Sequence, residues 1–113
     1  MPLLRAAGAV AIVGDLDDRA SLARLRALAP RLIHLAPPPN GGRGDPRTRH
    51  LLSALKPPRR AVYISTSGVY GDCGGNWVTE TRPVAPVNGR AVRRVDAEHQ
   101  LRTWGEALHV QVS

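Results

Sequence analysis

A chain of 113 residues, 42% hydrophobic and 22% charged, has room for one small domain with a modest core, which excludes both a second domain and a disordered polymer. Its net charge of +7 comes from 15 Arg and one Lys beside 15 Ala, 11 Gly and 10 Pro, the signature of a GC-rich coding sequence, and scattered arginines with only two Trp and two Tyr for base stacking argue against a nucleic-acid partner. A single cysteine, Cys73, excludes an internal disulfide, His34, His50, His99 and His109 lie too far apart for a zinc site, and no apolar run reaches membrane-span or signal-core length, so the cytoplasm is the expected compartment.

In chain order, Val10-Ala11-Ile12-Val13 ahead of Gly14-Asp15 reads as a strand. Asp17 or Asp18 can cap a helix from about Arg19 to Ala29, with Leu22, Leu25 and Leu28 as an apolar stripe and Pro30 as its stop. A second strand, Leu32 to Ala36, runs into Pro37-Pro38-Pro39. Asp45 followed by Pro46 is a cap plus first helical position for a helix that buries Leu51, Leu52 and Leu55 and ends at Pro57-Pro58. The third strand, Ala61 to Thr66, ends at Ser67-Gly68, and a third helix from about Arg90 to Trp104 turns Val95, Leu101 and Trp104 inward with Gly105 as its stop. Leu108 to Val112 is a fourth strand. The fold class is therefore α/β, a partial Rossmann-type parallel sheet in the order β-α-β-α-β-loop-α-β, its apolar strands expected to be covered on both faces.

Ligands of open parallel sheets bind at the C-terminal strand ends, which makes two loops candidates: residues 37–44 after the second strand and residues 67–88 after the third. Tyr63-Ile64-Ser65-Thr66-Ser67-Gly68-Val69-Tyr70-Gly71 brings three consecutive hydroxyls to that edge. They can meet a ligand or simply cap the strand end and bond the turn. Arg90, Arg93 and Arg94 can face an anionic substrate or water, Trp77 can shield a site or anchor its loop, and His34 reads as a core histidine. Arg43-Gly44-Asp45, although it spells an adhesion tripeptide, reads as coincidence.

The segment Ser65-Thr66-Ser67-Gly68-Val69-Tyr70-Gly71-Asp72, preceded by Leu32-Ile33-His34-Leu35-Ala36-Pro37 and by Val13-Gly14-Asp15-Leu16, resembles the extended short-chain dehydrogenase/reductase family, the NAD-dependent epimerase/dehydratases, and most closely an atypical bacterial branch. The resemblance implies an NAD- or NADP-dependent oxidoreductase with a small-molecule substrate. It implies catalytic roles for Thr66 and Ser67, and cofactor contacts from Asp15 and Leu16 at the adenine, Leu35, Ala36 and Pro37 near the ribose, Ser65 at the strand end and Arg94 at a ribose hydroxyl. It also implies that complete relatives pair through helices flanking the sheet, here those at Pro46 and Arg90, giving a homodimer.

The sequence departs from the family at two points. Aligned on Ala97-Glu98, the family's Tyr-x-x-x-Lys pair falls on Arg90 and Arg94, and an arginine stays protonated and cannot act as the phenol that gives and takes a proton. The Gly-x-x-Gly-x-x-Gly turn that cradles a dinucleotide's pyrophosphate is absent, and Arg5-Ala6-Ala7-Gly8-Ala9-Val10 reads as a helix exit into the family's third strand. The sequence is thus expected to be an internal fragment, one truncated NAD(P)-binding domain over residues 1–113 with weakened cofactor binding and little independent activity. The alternative is a non-enzymatic module whose incomplete sheet a partner chain completes. Neither reading involves nucleic acid or membrane.

Overall fold

Strands form where an apolar run finds a neighbour to bond. The computed structural model describes residues 2–26, 30–71, 73–79, 81–86 and 88–113, with only the backbone at Pro2 and Leu4. Arg31–His34 (β1), Arg60–Tyr63 (β2) and Gln111–Val112 (β3) make a three-stranded sheet in the order β1-β2-β3, parallel throughout. Arg31 lies opposite Arg60 and His34 opposite Tyr63, while Ala61 lies opposite Val112. The expected α/β parallel architecture is present, with shorter strands: Leu35 and Ala36 lie beyond β1, and Ile64 to Thr66 lie beyond β2.

The expected first strand does not form. Val10 to Val13 carry no regular structure, and Val10 and Val13 are 89% and 79% exposed. Their composition suits a strand as well as that of β1 does, but no described segment pairs with them, and a β conformation is held by bonds across to a neighbour. Ahead of them is a single helical turn, Pro2–Ala6 (α1), in keeping with the expected helix exit.

Residues Arg19–Leu25 form a 3-10 helix where an α-helix to Ala29 is expected; residues 27–29, including Leu28 of the expected stripe, lie outside the described residues. Local side chains compete for the backbone here. Asp18 caps Ala20 N–H at 3.2 Å, and the Ser21 hydroxyl bonds both Asp15 N–H at 2.8 Å and the Asp18 carbonyl at 2.7 Å. Leu22 is buried and Leu25 half-buried.

The second helix, Pro46–Ala54 (α2), follows its sequence signals. Asp45 accepts from Thr48 N–H at 3.1 Å, Pro46 opens the first turn, Leu51 and Leu52 are buried, and Leu55 is half-buried at the extended exit. The third, Gly89–Leu108 (α3), is capped by Asn88, whose Oδ1 accepts from Ala91 N–H at 2.8 Å. It does not stop at Gly105, as its sequence suggests, but runs on to Leu108 and ends at His109, which adopts the left-handed conformation at φ 57°. That extra turn takes Leu108 from the expected fourth strand and leaves β3 two residues long. Gly105 is there for contact: a Cβ on it would lie 2.7 Å from Val112 Cγ2 and 2.8 Å from the Val110 carbonyl oxygen.

The core forms where α3 meets β2, around Leu52, Tyr63, Ala97 and Leu101, with half-buried Trp104 and Val112 against it. Val95, expected inward, is half-buried. Both long helices cover the face that carries His34, Ala61, Tyr63 and Val112. The opposite face, with Ile33 66% and Leu35 65% exposed beside Val62 and Ile64, is uncovered among the described residues, contrary to the expected two-sided burial. The cause is topological: two right-handed crossovers that advance the same way across the sheet place both helices on the same side.

Candidate functional site

The C-terminal ends of β1 and β2 open towards the loop of residues 37–44 and the first turns of α2 and α3. Between them lies a cavity of about 390 Å³, lined on one side by Pro37, Pro38, Pro39 and Asn40 and on the other by Arg47, Arg90, Arg93 and Arg94. Arg47 clasps Asp17 through two bonds, Nε to Oδ1 at 2.9 Å and Nη2 to Oδ2 at 3.1 Å, and donates from Nη1 to the Pro37 carbonyl at 3.3 Å. That guanidinium holds the exposed Asp17 carboxyl below its ordinary pKa. Arg93 Nη1 donates to the Gly42 carbonyl at 2.9 Å. Arg94 Nη1 donates to the Tyr63 hydroxyl at 3.0 Å and to the Ile64 carbonyl at 2.9 Å, with its guanidinium carbon 5.7 Å from the Tyr63 ring centre. Burial pushes the Tyr63 phenol above its ordinary pKa, against the pull of Arg94.

Of the residues expected at a cofactor, Pro37 and Arg94 come together at this cavity; the others do not line it. Asp15 is exposed and its Oδ1 accepts from Asp17 N–H at 2.9 Å, closing a local turn, while the Leu16 carbonyl accepts from His50 Nδ1 at 2.6 Å, so this segment is tied to α2. Leu35 is exposed on the uncovered sheet face and Ala36 is half-buried. Thr66 caps a 3-10 turn, Ser67–Tyr70, its Oγ1 accepting from Gly68 N–H at 3.4 Å. Gly71 closes that turn at φ 70°, a conformation that suits glycine. Ser67 is exposed, and Ser65 Oγ is buried with no hydrogen-bond partner among the described residues. Trp77 is 98% exposed and anchors no loop, and Asp72 and Glu80 lie outside the described residues.

Beside the cavity runs a buried polar chain. His34 Nε2 lies 2.9 Å from Thr48 Oγ1, and Thr48 Oγ1 donates to Asp45 Oδ2 at 2.6 Å. Because the threonine proton goes to the carboxylate, His34 is the donor in the first bond, with a proton on Nε2. Burial holds its pKa below 6.5, against the pull of Asp45. Asp45 N–H donates to Asp96 Oδ2 at 2.7 Å, and Gln100 Nε2 donates to the same Asp96 oxygen at 2.7 Å and to the Asp45 carbonyl at 2.8 Å, fastening α2 to α3. His34 is thus a bonded core histidine, as read from its strand position, and Asp45 of the adhesion-like tripeptide is buried in a helix cap. Thr48, Asp96 and Gln100 carry no signal in the sequence, since their partners are remote; neither does Arg47 as a cavity residue.

A dinucleotide pyrophosphate rests on bare backbone N–H groups at a helix start. At α2 the Asp45 carboxylate accepts from Thr48 N–H, and at α3 the Asn88 side chain accepts from Ala91 N–H, so each start already bonds one N–H to its own cap. Among the described residues no His, Cys, Asp and Glu cluster could hold a metal ion.

A parallel sheet with crossover helices and its polar loops at the C-terminal edge is a partial Rossmann-type α/β architecture. Solved structures share it. A Burkholderia cenocepacia J2315 protein assigned as an epimerase is 24% identical with a TM-score of 0.75, the match covering 99% of this chain and 40% of that one. RMD from Pseudomonas aeruginosa, complexed with NADPH, is 27% identical with a TM-score of 0.74 over 92% of this chain and 41% of that one. UDP-glucuronic acid 4-epimerase from Bacillus cereus, complexed with UDP-glucuronic acid and NAD, is 27% identical with a TM-score of 0.51 over 58% of this chain and 21% of that one. The chain therefore spans about two fifths of the first two. No family model and no curated protein sequence matches it. Among the described residues no helix is long and apolar enough to cross a membrane.

Proposed function

We propose that the chain is part of an NAD(P)-dependent oxidoreductase domain of the extended short-chain dehydrogenase/reductase type, with little activity of its own. The observation that carries this reading is the β1-β2-β3 sheet and its edge loops, which match the NADPH complex of RMD over 92% of the chain. Asp15, Leu16, Leu35, Ala36, Pro37, Ser65 and Arg94 form the remaining cofactor edge, and Thr66 and Ser67 face the substrate. Affinity for NAD or NADP is weak because the sequence has no Gly-x-x-Gly-x-x-Gly turn to hold the pyrophosphate, and Arg90 cannot supply a proton-transferring phenol. The reading includes a larger domain whose glycine-rich unit lies outside this sequence, a homodimer through α2 and α3, a small-molecule substrate and a cytoplasmic location.

The test is a titration of the chain with NADH and NADPH followed by amide chemical shifts. Saturable shifts at Asp15, Leu16, Ala36, Ser65 and Arg94, at millimolar dinucleotide and without turnover, are the expected result. No shift at any of them up to about 10 mM, an affinity weaker than about −3 kcal/mol, would sink the dinucleotide reading. Sequencing the DNA ahead of the Met1 codon tests the larger domain separately: a closed frame removes it.

A second reading, a module completed by a partner chain, is favoured by the uncovered face of Ile33, Leu35, Val62 and Ile64. It predicts no dinucleotide shifts at all, and amide protection of β1 that rises only when a partner is added.

A further inference from the structure

We infer that the cavity between the proline loop and the first turns of α2 and α3 is a binding site for a phosphate group. This does not depend on the dinucleotide reading. Four arginines line about 390 Å³ of open space, and the ion pair described there, Arg47 with Asp17, neutralises only one of them. Arg90, Arg93 and Arg94 have no carboxylate partner among the described residues.

Their placement is unfavourable without an anion. Positions 90, 93 and 94 fall on one helical face at spacings of three and four, where like charges repel. They also fall in the first two turns of α3, where the helix dipole is already positive and the first turn holds no acidic residue. Nothing in the packing of α3 calls for arginine at Arg90, which is exposed. A doubly charged anion in the cavity would attract each of these charges and so offset the repulsions between them.

The geometry suits phosphate in particular. Arg94 and Arg93 are held by neutral oxygens, those of Tyr63, Ile64 and Gly42, and each uses only Nη1. The Nε and Nη2 donors have no partner among the described residues, so each side chain is fixed in place with an open fork of N–H groups, the pattern that bonds a phosphate bidentately. Because the side chains are already held, binding loses less rotamer entropy. The facing wall of Pro37, Pro38 and Pro39 has no N–H to offer, so it gives shape and dryness while the arginines give charge. The volume exceeds that of one phosphate and admits a phosphorylated small molecule.

The test uses the full chain in a low-salt, anion-poor buffer, titrated calorimetrically with inorganic phosphate, phenyl phosphate, NADPH and a short DNA duplex. Saturable binding of inorganic phosphate and of phenyl phosphate is expected, reduced at least about tenfold in Arg90→Ala/Arg93→Ala. Arg93→Lys should lose affinity several-fold, because it keeps the charge and loses the fork. Arg19→Ala/Arg24→Ala, which removes two exposed arginines from the 3-10 helix, should bind like the parent. Circular dichroism checks that each variant is folded, and an Arg90→Ala single variant, which breaks no described contact, serves if the double variant is not.

Phosphate binding without NADPH binding supports the site and counts against the dinucleotide reading. NADPH binding without inorganic or phenyl phosphate binding overturns the site and leaves that reading intact. Equal losses in the Arg19/Arg24 and Arg90/Arg93 variants, or duplex binding that masks phosphate binding, overturn it as well, because they describe a generally basic surface.

Discussion

Replacing Gly105 by alanine adds one methyl group to a buried turn of α3, and two effects oppose each other. Alanine restricts the unfolded chain and favours helix, a gain of about 0.5–1 kcal/mol. The added Cβ, however, lands 2.7 Å from Val112 Cγ2 and 2.8 Å from the Val110 carbonyl oxygen, and a backbone carbonyl cannot swing aside as a long side chain can. Relief requires β3 to move off the helix, which strains the bonds from Ser113 N–H to Ala61 O and from Tyr63 N–H to Ser113 O, both 2.9 Å. Overpacking of this kind costs about 1–3 kcal/mol, and a backbone contact places it towards the upper end, so the sum is a loss of about 1–2.5 kcal/mol and a melting point lower by roughly 4–12 °C. The assay is thermal and urea unfolding of Gly105→Ala beside Gly41→Ala, where a Cβ meets nothing within 4 Å and stability should stay within about 0.5 kcal/mol of the parent. If Gly105→Ala equals or exceeds the parent in stability, the glycine is not there for close approach, and the account of how β3 docks is wrong.

Thr48→Val removes the oxygen that joins His34 to Asp45 and leaves a buried N–H without an acceptor; a loss of about 2–3 kcal/mol is expected by urea unfolding, with Thr48→Ser recovering most of it. His109→Gly relieves a left-handed φ of 57° at the end of α3 and should stabilise the chain by about 1 kcal/mol, read as a higher urea midpoint at unchanged slope. His34, whose pKa is held below its ordinary 6.5, stays neutral in the folded chain while the unfolded chain takes up its proton. Stability contributed by keeping it neutral is complete above pH about 6.5 and declines as pH falls from there to the folded pKa. A urea-midpoint profile between pH 7.5 and 5 should show that decline, and it should be flatter in His34→Gln; equal slopes would remove His34 as its source.

α2 was legible from sequence because its signals are local: Asp45 caps, Pro46 opens and Pro57-Pro58 follow, all within a few residues of the turns they set. Val10 to Val13 and the strand at Arg31–His34 look alike at that range, and only the second acquires a neighbour, which is a property of the whole sheet. Gly105 has the composition of a helix stop and the role of a helix–strand contact, because Val110 and Val112, which explain it, act through space. For the candidate site, spacing placed Arg90, Arg93 and Arg94 on one face of α3, while Arg47 and the proline wall joined them only on folding. The hydroxyls at Ser65, Thr66 and Ser67 could be read as ligand groups or caps; Thr66 does cap its turn, and the Ser65 hydroxyl has no partner among the described residues.

The all-parallel sheet also dictates the order in which the chain can assemble. No two of its strands are joined by a tight hairpin, so each pairing has to close a long crossover connection that includes a helix. The loop from β2 to β3 is nearly twice as long as that from β1 to β2, yet doubling a loop adds only about 0.6 kcal/mol of closure entropy, too little to set the sequence of events by itself. The return on closure differs more: four register pairs link β1 to β2, against two between β2 and β3. This difference predicts that the β1-α2-β2 unit forms the nucleus and that the last turn of α3 with β3 docks late, on the far side of the main barrier. A destabilising change at Gly105 should therefore speed unfolding and leave the refolding rate nearly unchanged, whereas one at Thr48 should slow refolding.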